Sequence, residues 1–230
     1  MSWLCAVALL ASCYPGISGS GRVVSESRTV PVWNRVEIHS GMKATLSVGQ
    51  PSVTVRTDDN LQGFIDTFVT GAVLVVQYQP GAWLWATVSE VIITNPAYEG
   101  IEASGGSHVA ATVAPMTSIH LGASGGSDVN AAGIAGEDVR IEASGDSDVT
   151  AVGSANALFL DASGDSDVFA TQLPVRTAAV EVSGDSDAEV AVSDSISGSV
   201  SGGSDLIVVG RPASSRLSVT GGSDVRFVDQ

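Results

Sequence analysis

Nine aspartates define the chemistry this chain could do. Asp128, Asp148, Asp167, Asp187, Asp205 and Asp224 recur at near-constant intervals, and Asp146, Asp165 and Asp185 stand two residues before three of them. Calcium takes six to eight oxygens in loose geometry, and Asp carboxylates beside glycine-turn carbonyls supply such oxygens. An Asp-Ser-Asp unit such as Asp165-Ser166-Asp167 puts two carboxylates on one face of a strand. The chain lacks the closing Glu of a helix-loop-helix calcium loop, and its period differs from the nine-residue calcium repeat. A second reading therefore stands beside a possible Ca2+ cofactor. Asp and Gly favour turns, and a column of carboxylates keeps an edge-rich protein soluble.

Two further groups could carry chemistry. Trp83 and Trp85 flank Leu84, so on a strand their indoles share a face. Closure of one end of the fold is the expected role; stacking on sugar rings is the alternative ligand-binding role. His39 and His120 have no Ser or Cys partner that spacing singles out, and serine is too abundant for a triad to be assigned. Lys43 is the only lysine, which leaves little scope for Schiff-base or Walker-type chemistry. Catalytic residues are therefore expected to be none. A polysaccharide-active enzyme is the least favoured alternative, because nothing interrupts the repeats to build a cleft.

Something must position these aspartates, and it is a repeat. The blocks start Ala-Ser-Gly-Gly-Ser-His-Val at 103 and end Val-Thr-Gly-Gly-Ser-Asp-Val at 219, with copies at 123, 143, 162, 182 and 200 between them. The steps are 20, 20, 19, 20, 18 and 19 residues, a period that signals a solenoid with one coil per repeat. Within each copy apolar residues alternate with polar ones, as in Ile141, Ala143, Val149 and Ala151. Period 2 means strands with one face inside. Two strands per coil, bent at the Gly, with a looser connection such as 172–177, account for the length. The fold class that follows is all-β, a right-handed parallel β-helix with about seven regular coils and a divergent N-terminal part. The same parity turns Ser147 inward and Asp146 and Asp148 outward. Stacked coils then align the six aspartates into one outer column, with the other three beside it.

The N-terminus reads differently. Residues 3–11 are apolar but too few to span a bilayer. Leu10-Ala11-Ser12-Cys13 resembles the lipobox of bacterial lipoproteins, in which Cys13 is the lipidation site and the first mature residue. Tyr14 after it implies sorting to the outer membrane, although no Lys or Arg precedes the apolar run. The expected organisation is a signal peptide over 1–12, a flexible tether over 13–27 and one β-helical domain over 28–230. That domain divides into a divergent part over 28–100 and regular repeats over 101–230. The expected location is the cell envelope, lipid-anchored, or otherwise secreted.

Composition narrows the partners. Of the 230 residues 25 are acidic and 10 basic, a net charge of -15 that argues against nucleic acid and against an anionic membrane surface. Membrane contact is then expected only through the lipid anchor. The ligand is an unidentified surface glycan or protein, and end-to-end homo-oligomers are a further possibility for a solenoid.

The stretch from Val30 to Phe227 resembles the family of auto-transporter adhesin head domains, also called head GIN domains. The resemblance rests on Val36-Glu37-Ile38, on Asp59-Asn60-Leu61 followed by Val73-Leu74-Val75-Val76, and on the row of Ser-Gly-x-Ser-Asp-Val turns. It implies a right-handed β-helical domain on secreted or lipid-anchored bacterial proteins, an adhesin-type binding role and no catalytic motif. The regular Asp at the turns departs from the family pattern. A structural spacer or assembly subunit of the envelope is the alternative function.

Overall fold

The computed structural model describes residues 16–229. Among them there is no α-helix; a short 3-10 turn at Gln62–Phe64 is the one helical element. The fold is a β-solenoid of about six turns. Its seven repeat copies make seven arches, and six full turns separate the first from the last.

The regular part begins with β10 (Gly100–Ser104), β11 (His108–Thr112) and β12 (Ser118–Ser124). The long strands β13 (Asp128–Gly145), β14 (Asp148–Gly164), β15 (Asp167–Gly184) and β16 (Asp187–Val200) follow, and β17 (Asp205–Val209), β18 (Ser214–Val219) and β19 (Asp224–Val228) finish it. Each long strand runs from one arch to the next with register shifts midway, for example between Ala132 and Ile134. The connection expected to be loose at 172–177 lies inside β15, with Leu173 and Val175 buried. All pairings between successive coils are parallel and in register: Val129 faces Val149, and Ile141 faces Leu160.

Why these residues hold these positions follows from the interior. The inward row of Val, Ile, Leu and Ala forms one continuous buried core from Trp33 to Val208. Ala103, Ala123, Ala143 and Ala162 lie buried just before the arches, and Val182 and Val200 take the same place in later copies. At each arch tip an inward serine replaces the hydrophobe. Ser107, Ser127, Ser147, Ser166, Ser186 and Ser204 are all fully buried. Their hydroxyls carry the arch backbone. Ser127 Oγ accepts from the N–H groups of Gly106 and Ser107, both at 3.1 Å. Ser147 Oγ accepts from Gly126 and Ser127, at 3.1 and 3.2 Å. The series continues from Ser147 to Ser166, Ser166 to Ser186 and Ser186 to Ser204. Buried amides that the tight bend removes from the strand ladder thereby find acceptors.

The N-terminal strands do not stack in sequence order. They are β1 (Ile17–Ser18), β2 (Val23–Arg28), β3 (Arg35–Ile38), β4 (Lys43–Val48), β5 (Ser52–Asp58), β6 (Ile65–Thr70), β7 (Val73–Tyr78), β8 (Leu84–Trp85) and β9 (Ser89–Asn95). The β3–β4 coil lies between β10–β11 on one side and β7 and β9 on the other. Beyond it the direction reverses: β6 pairs antiparallel with β7, β5 with β9, and β2 with β5. These antiparallel strands close one end of the solenoid.

Residues 16–27, expected to belong to a flexible tether, are ordered in this cap. β2 forms six registered pairs with β5, and β1 pairs with β8. The cause is the free edge of β5, whose ladder groups β2 satisfies. Asp58 fastens the arrangement. Burial would raise its pKa, but the Thr87 N–H (2.7 Å), the Thr87 hydroxyl (2.9 Å) and the Gly21 N–H (2.8 Å) all donate to its carboxylate and hold it below the ordinary value. The proposed signal peptide and Cys13 lie outside the described residues.

From Gly164 onward the arches leave no room for a side chain at their left-handed glycines. Gly184 has φ +91, and a Cβ there would stand 2.4 Å from the Gly164 carbonyl oxygen. Gly184→Ala is expected to lower unfolding free energy by about 2–3 kcal/mol. Gly63→Ala, at a site with nothing within 4 Å, is expected to change it by less than about 0.5 kcal/mol. Equilibrium denaturation of the two variants checks the difference.

Candidate functional site

The six aspartates form one column. Asp128 pairs in register with Asp148, Asp148 with Asp167, Asp167 with Asp187, Asp187 with Asp205, and Asp205 with Asp224. Alternation at the arch sends them outward because the neighbouring serine and valine point in. Asp146, Asp165 and Asp185 lie beside them on exposed turn positions. The backbone stacks there too: the Asp165 N–H donates to the Gly145 carbonyl and the Asp185 N–H to the Gly164 carbonyl, each at 2.7 Å.

The repulsion in this column is visible in its centre. Partial burial, and then the charge of Asp128, push the Asp148 carboxyl above its ordinary pKa, with Asp146 adding to the effect. Asp167 is raised in the same way by burial, then by Asp148 and Asp187, with Asp165 contributing. The fold counters the charge at one end of the column. His108 precedes Asp128 in register, and its Nδ1 lies 2.5 Å from Asp128 Oδ2. Lys43 precedes His108, and Glu90 precedes Lys43. The single lysine therefore sits at the head of the aspartate column, a placement that requires the pairing of β4 with β11.

As a calcium site the column fits poorly. Its carboxylates are spread one per coil along a line, and among the described residues no three His, Cys, Asp or Glu side chains converge to hold a metal ion. The donors suit a file of loosely held cations better than one enclosed ion.

A second acidic column runs along the other wall. Glu37, Glu102, Glu142, Asp161 and Glu181 share one outward row, broken by Gly122 between Glu102 and Glu142. His120 leans over that gap. Its Nδ1 is 3.8 Å from Glu102 and its Nε2 is 3.6 Å from Glu142, while Arg35 lies 3.5 Å away. His39 shares a 2.5 Å hydrogen bond with Ser104 and lies 3.5 Å from Glu37. These contacts cross coils and were hidden in sequence. The acidic residue before four of the repeat copies, Glu102, Glu142, Asp161 and Glu181, was the available signal.

The tryptophans lie at the capped end. Trp83 and Trp85 are 70% and 67% exposed, so they do not close the core. Trp33 does, at 5% exposure. The backbone on either side of Leu84 is held by β1: the Ile17 N–H donates to the Trp83 carbonyl at 2.7 Å and the Gly19 N–H to the Trp85 carbonyl at 2.9 Å. The two exposed indoles stand on either side of Leu84, next to a backbone braced by β1.

The chain belongs to the family described as putative auto-transporter adhesin, head GIN domain, which its residues 33–212 match. No curated protein matches the chain. Among solved structures, a putative adhesin from Bacteroides fragilis superposes with a TM-score of 0.87 at 17% identity, covering 93% of this chain and 100% of that one. A putative lipid binding protein from Parabacteroides distasonis gives 0.73 at 15% identity, and a putative adhesin from the same species gives 0.72 at 19%, both with the same coverage. At these identities the likeness establishes the fold.

The raised carboxyls at the column centre set a sign for pH. A folded pKa above the unfolded one penalises the charged form in the fold, so the penalty acts above the folded pKa and is relieved as pH falls toward 3.8. Asp167→Asn is expected to stabilise the fold at pH 7 by up to about 1 kcal/mol. That gain should vanish near pH 3, where both forms are neutral. Denaturant midpoints at the two pH values measure it.

Proposed function

We propose that the protein is a non-catalytic binding module of the cell envelope whose ligand is a glycan held on the Trp83–Trp85 face. The observation that carries this reading is the exposure of both indoles on a strand braced by β1. Large exposed apolar groups are costly to leave in water, and paired indoles match the flat apolar faces of sugar rings. Family membership and the adhesin-titled neighbours support a surface-binding role in general terms. The acidic columns act as a second contact, gathering cations, calcium among them, without a dedicated cage. The scaffold gives no catalytic group a role, because its carboxylates repeat along a rod.

Lipid anchoring at Cys13, with sorting to the outer membrane, completes the reading; it rests on Leu10-Ala11-Ser12-Cys13. Among the described residues no helix is long and apolar enough to cross a membrane. Cys13→Ser is expected to abolish incorporation of radiolabelled palmitate and to move the protein from the membrane fraction to the soluble one. Continued labelling of the variant would contradict the assignment.

A polysaccharide array read with the chain and with Trp83→Ala and Trp85→Ala variants tests the binding face. Each replacement is expected to weaken binding by about 2 kcal/mol while circular dichroism stays unchanged. Binding indifferent to both replacements would remove the indole pair from the account, and no binding to any glycan would favour a spacer.

A further inference from the structure

The two ends of the solenoid differ. β5, β2 and β6 close the N-terminal end by antiparallel pairing. At the other end β18 pairs only with β16, and β19 only with β17, so one edge of each strand faces outward unpaired. The inward row of this last coil is uncovered. Val219 and Phe227 are 44% and 47% exposed, whereas their in-register neighbours Val200 and Val208 are fully buried. Leu217 and Val225 are only partly buried against the core.

An open edge with an apolar lining is a template for another strand. Its charge indicates which. Residues 211–229 carry Arg211, Arg216 and Arg226 against Asp224 and Asp229, three minus two giving +1. The whole chain carries -15, so residues 1–210 carry -16. Residues 1–100 carry five basic and seven acidic side chains, so most of the charge lies in residues 101–210, and at the open end two copies meet without strong repulsion.

We propose that this end is a self-association surface, on which two copies meet tail to tail about a two-fold axis. An antiparallel pairing of β19 with its counterpart keeps inward residues inward only if facing positions have the same parity. Setting Val225 opposite Val225 of the second copy places Asp224 opposite the other copy's Arg226, twice by symmetry. The alternative register would oppose Arg226 to itself. The partner's Arg226 then terminates the aspartate column as His108 and Lys43 do at its head. Such an isologous contact closes at two copies, and the capped ends stay free.

Sedimentation equilibrium of the full chain from micromolar to near-millimolar concentration tests this. A monomer–dimer equilibrium is expected. Arg226→Asp sets like charges opposite each other at two sites and is expected to raise the dimer dissociation constant about tenfold. The exchange Asp224→Arg with Arg226→Asp restores opposite pairing at unchanged net charge and is expected to restore dimerisation. In a chain whose Cys5 and Cys13 are replaced by serine, Val225→Cys is expected to form a linked dimer on mild oxidation, because facing antiparallel residues stand about 4.5–5.5 Å apart, within disulfide reach. A monomer at every concentration, a dimer indifferent to Arg226→Asp, a double exchange that fails to rescue, or an unlinked Val225→Cys chain would each overturn the proposal.

Discussion

Everything in this molecule depends on coils stacking in strict register, and the register is enforced at the arches. A parallel coil can slide along its neighbour unless something specific opposes the slip. Here the buried serine does so. Its hydroxyl meets the arch amides of the preceding coil, as Ser127 does for Gly106 and Ser107 and Ser147 for Gly126 and Ser127. A slip of one residue would leave those amides unpaired in a dry interior and turn the valine row outward. At Gly164, Gly184, Gly202 and Gly221, left-handed glycines of the bend, the missing side chain leaves the space occupied by the glycine carbonyl of the previous coil.

The same constraint creates the charged surface. Once serine and valine point in, the aspartate between them must point out, and identical registers must align it with its counterparts. The acidic column is thus a consequence of how the arch is built. The cost shows in the raised carboxyls of Asp148 and Asp167, and the fold sets His108 and Lys43 at the head of the column. The second column, with His120 between Glu102 and Glu142, shows the same balance on the other wall, where Arg35 and Arg140 supply the positive charge.

Much of this was legible in the sequence because one short unit is written seven times. Its period gave the coil, its parity gave the inward serine, and its alignment gave the column from Asp128 to Asp224. The match of Val36-Glu37-Ile38 to the start of a repeat was also legible, and β3 pairs with β10 as that match requires. What escaped sequence reading depends on pairings that no repeat encodes. The β3–β4 coil sits between β10–β11 and strands that come later than β4 in the chain. β2 returns antiparallel into a region whose Gly and Ser content suggested a tether. Lys43 and Glu90 join the aspartate column only because β4 and β9 stack on β11. The tryptophans escaped for a related reason. Alternation put both on one face, but which face meets solvent depends on β1 and β8 lying outside the core.

The central claim, that the serine arches hold the register, can be read amide by amide. Native-state hydrogen exchange should find the N–H groups of Gly126, Ser127, Ser147, Ser166 and Ser186 among the slowest in the molecule, opening only with global unfolding. Exchange of those amides as fast as that of exposed turns such as Gly71 and Gly81 would show that the arches open freely. The register would then have to be held by the strand ladders alone.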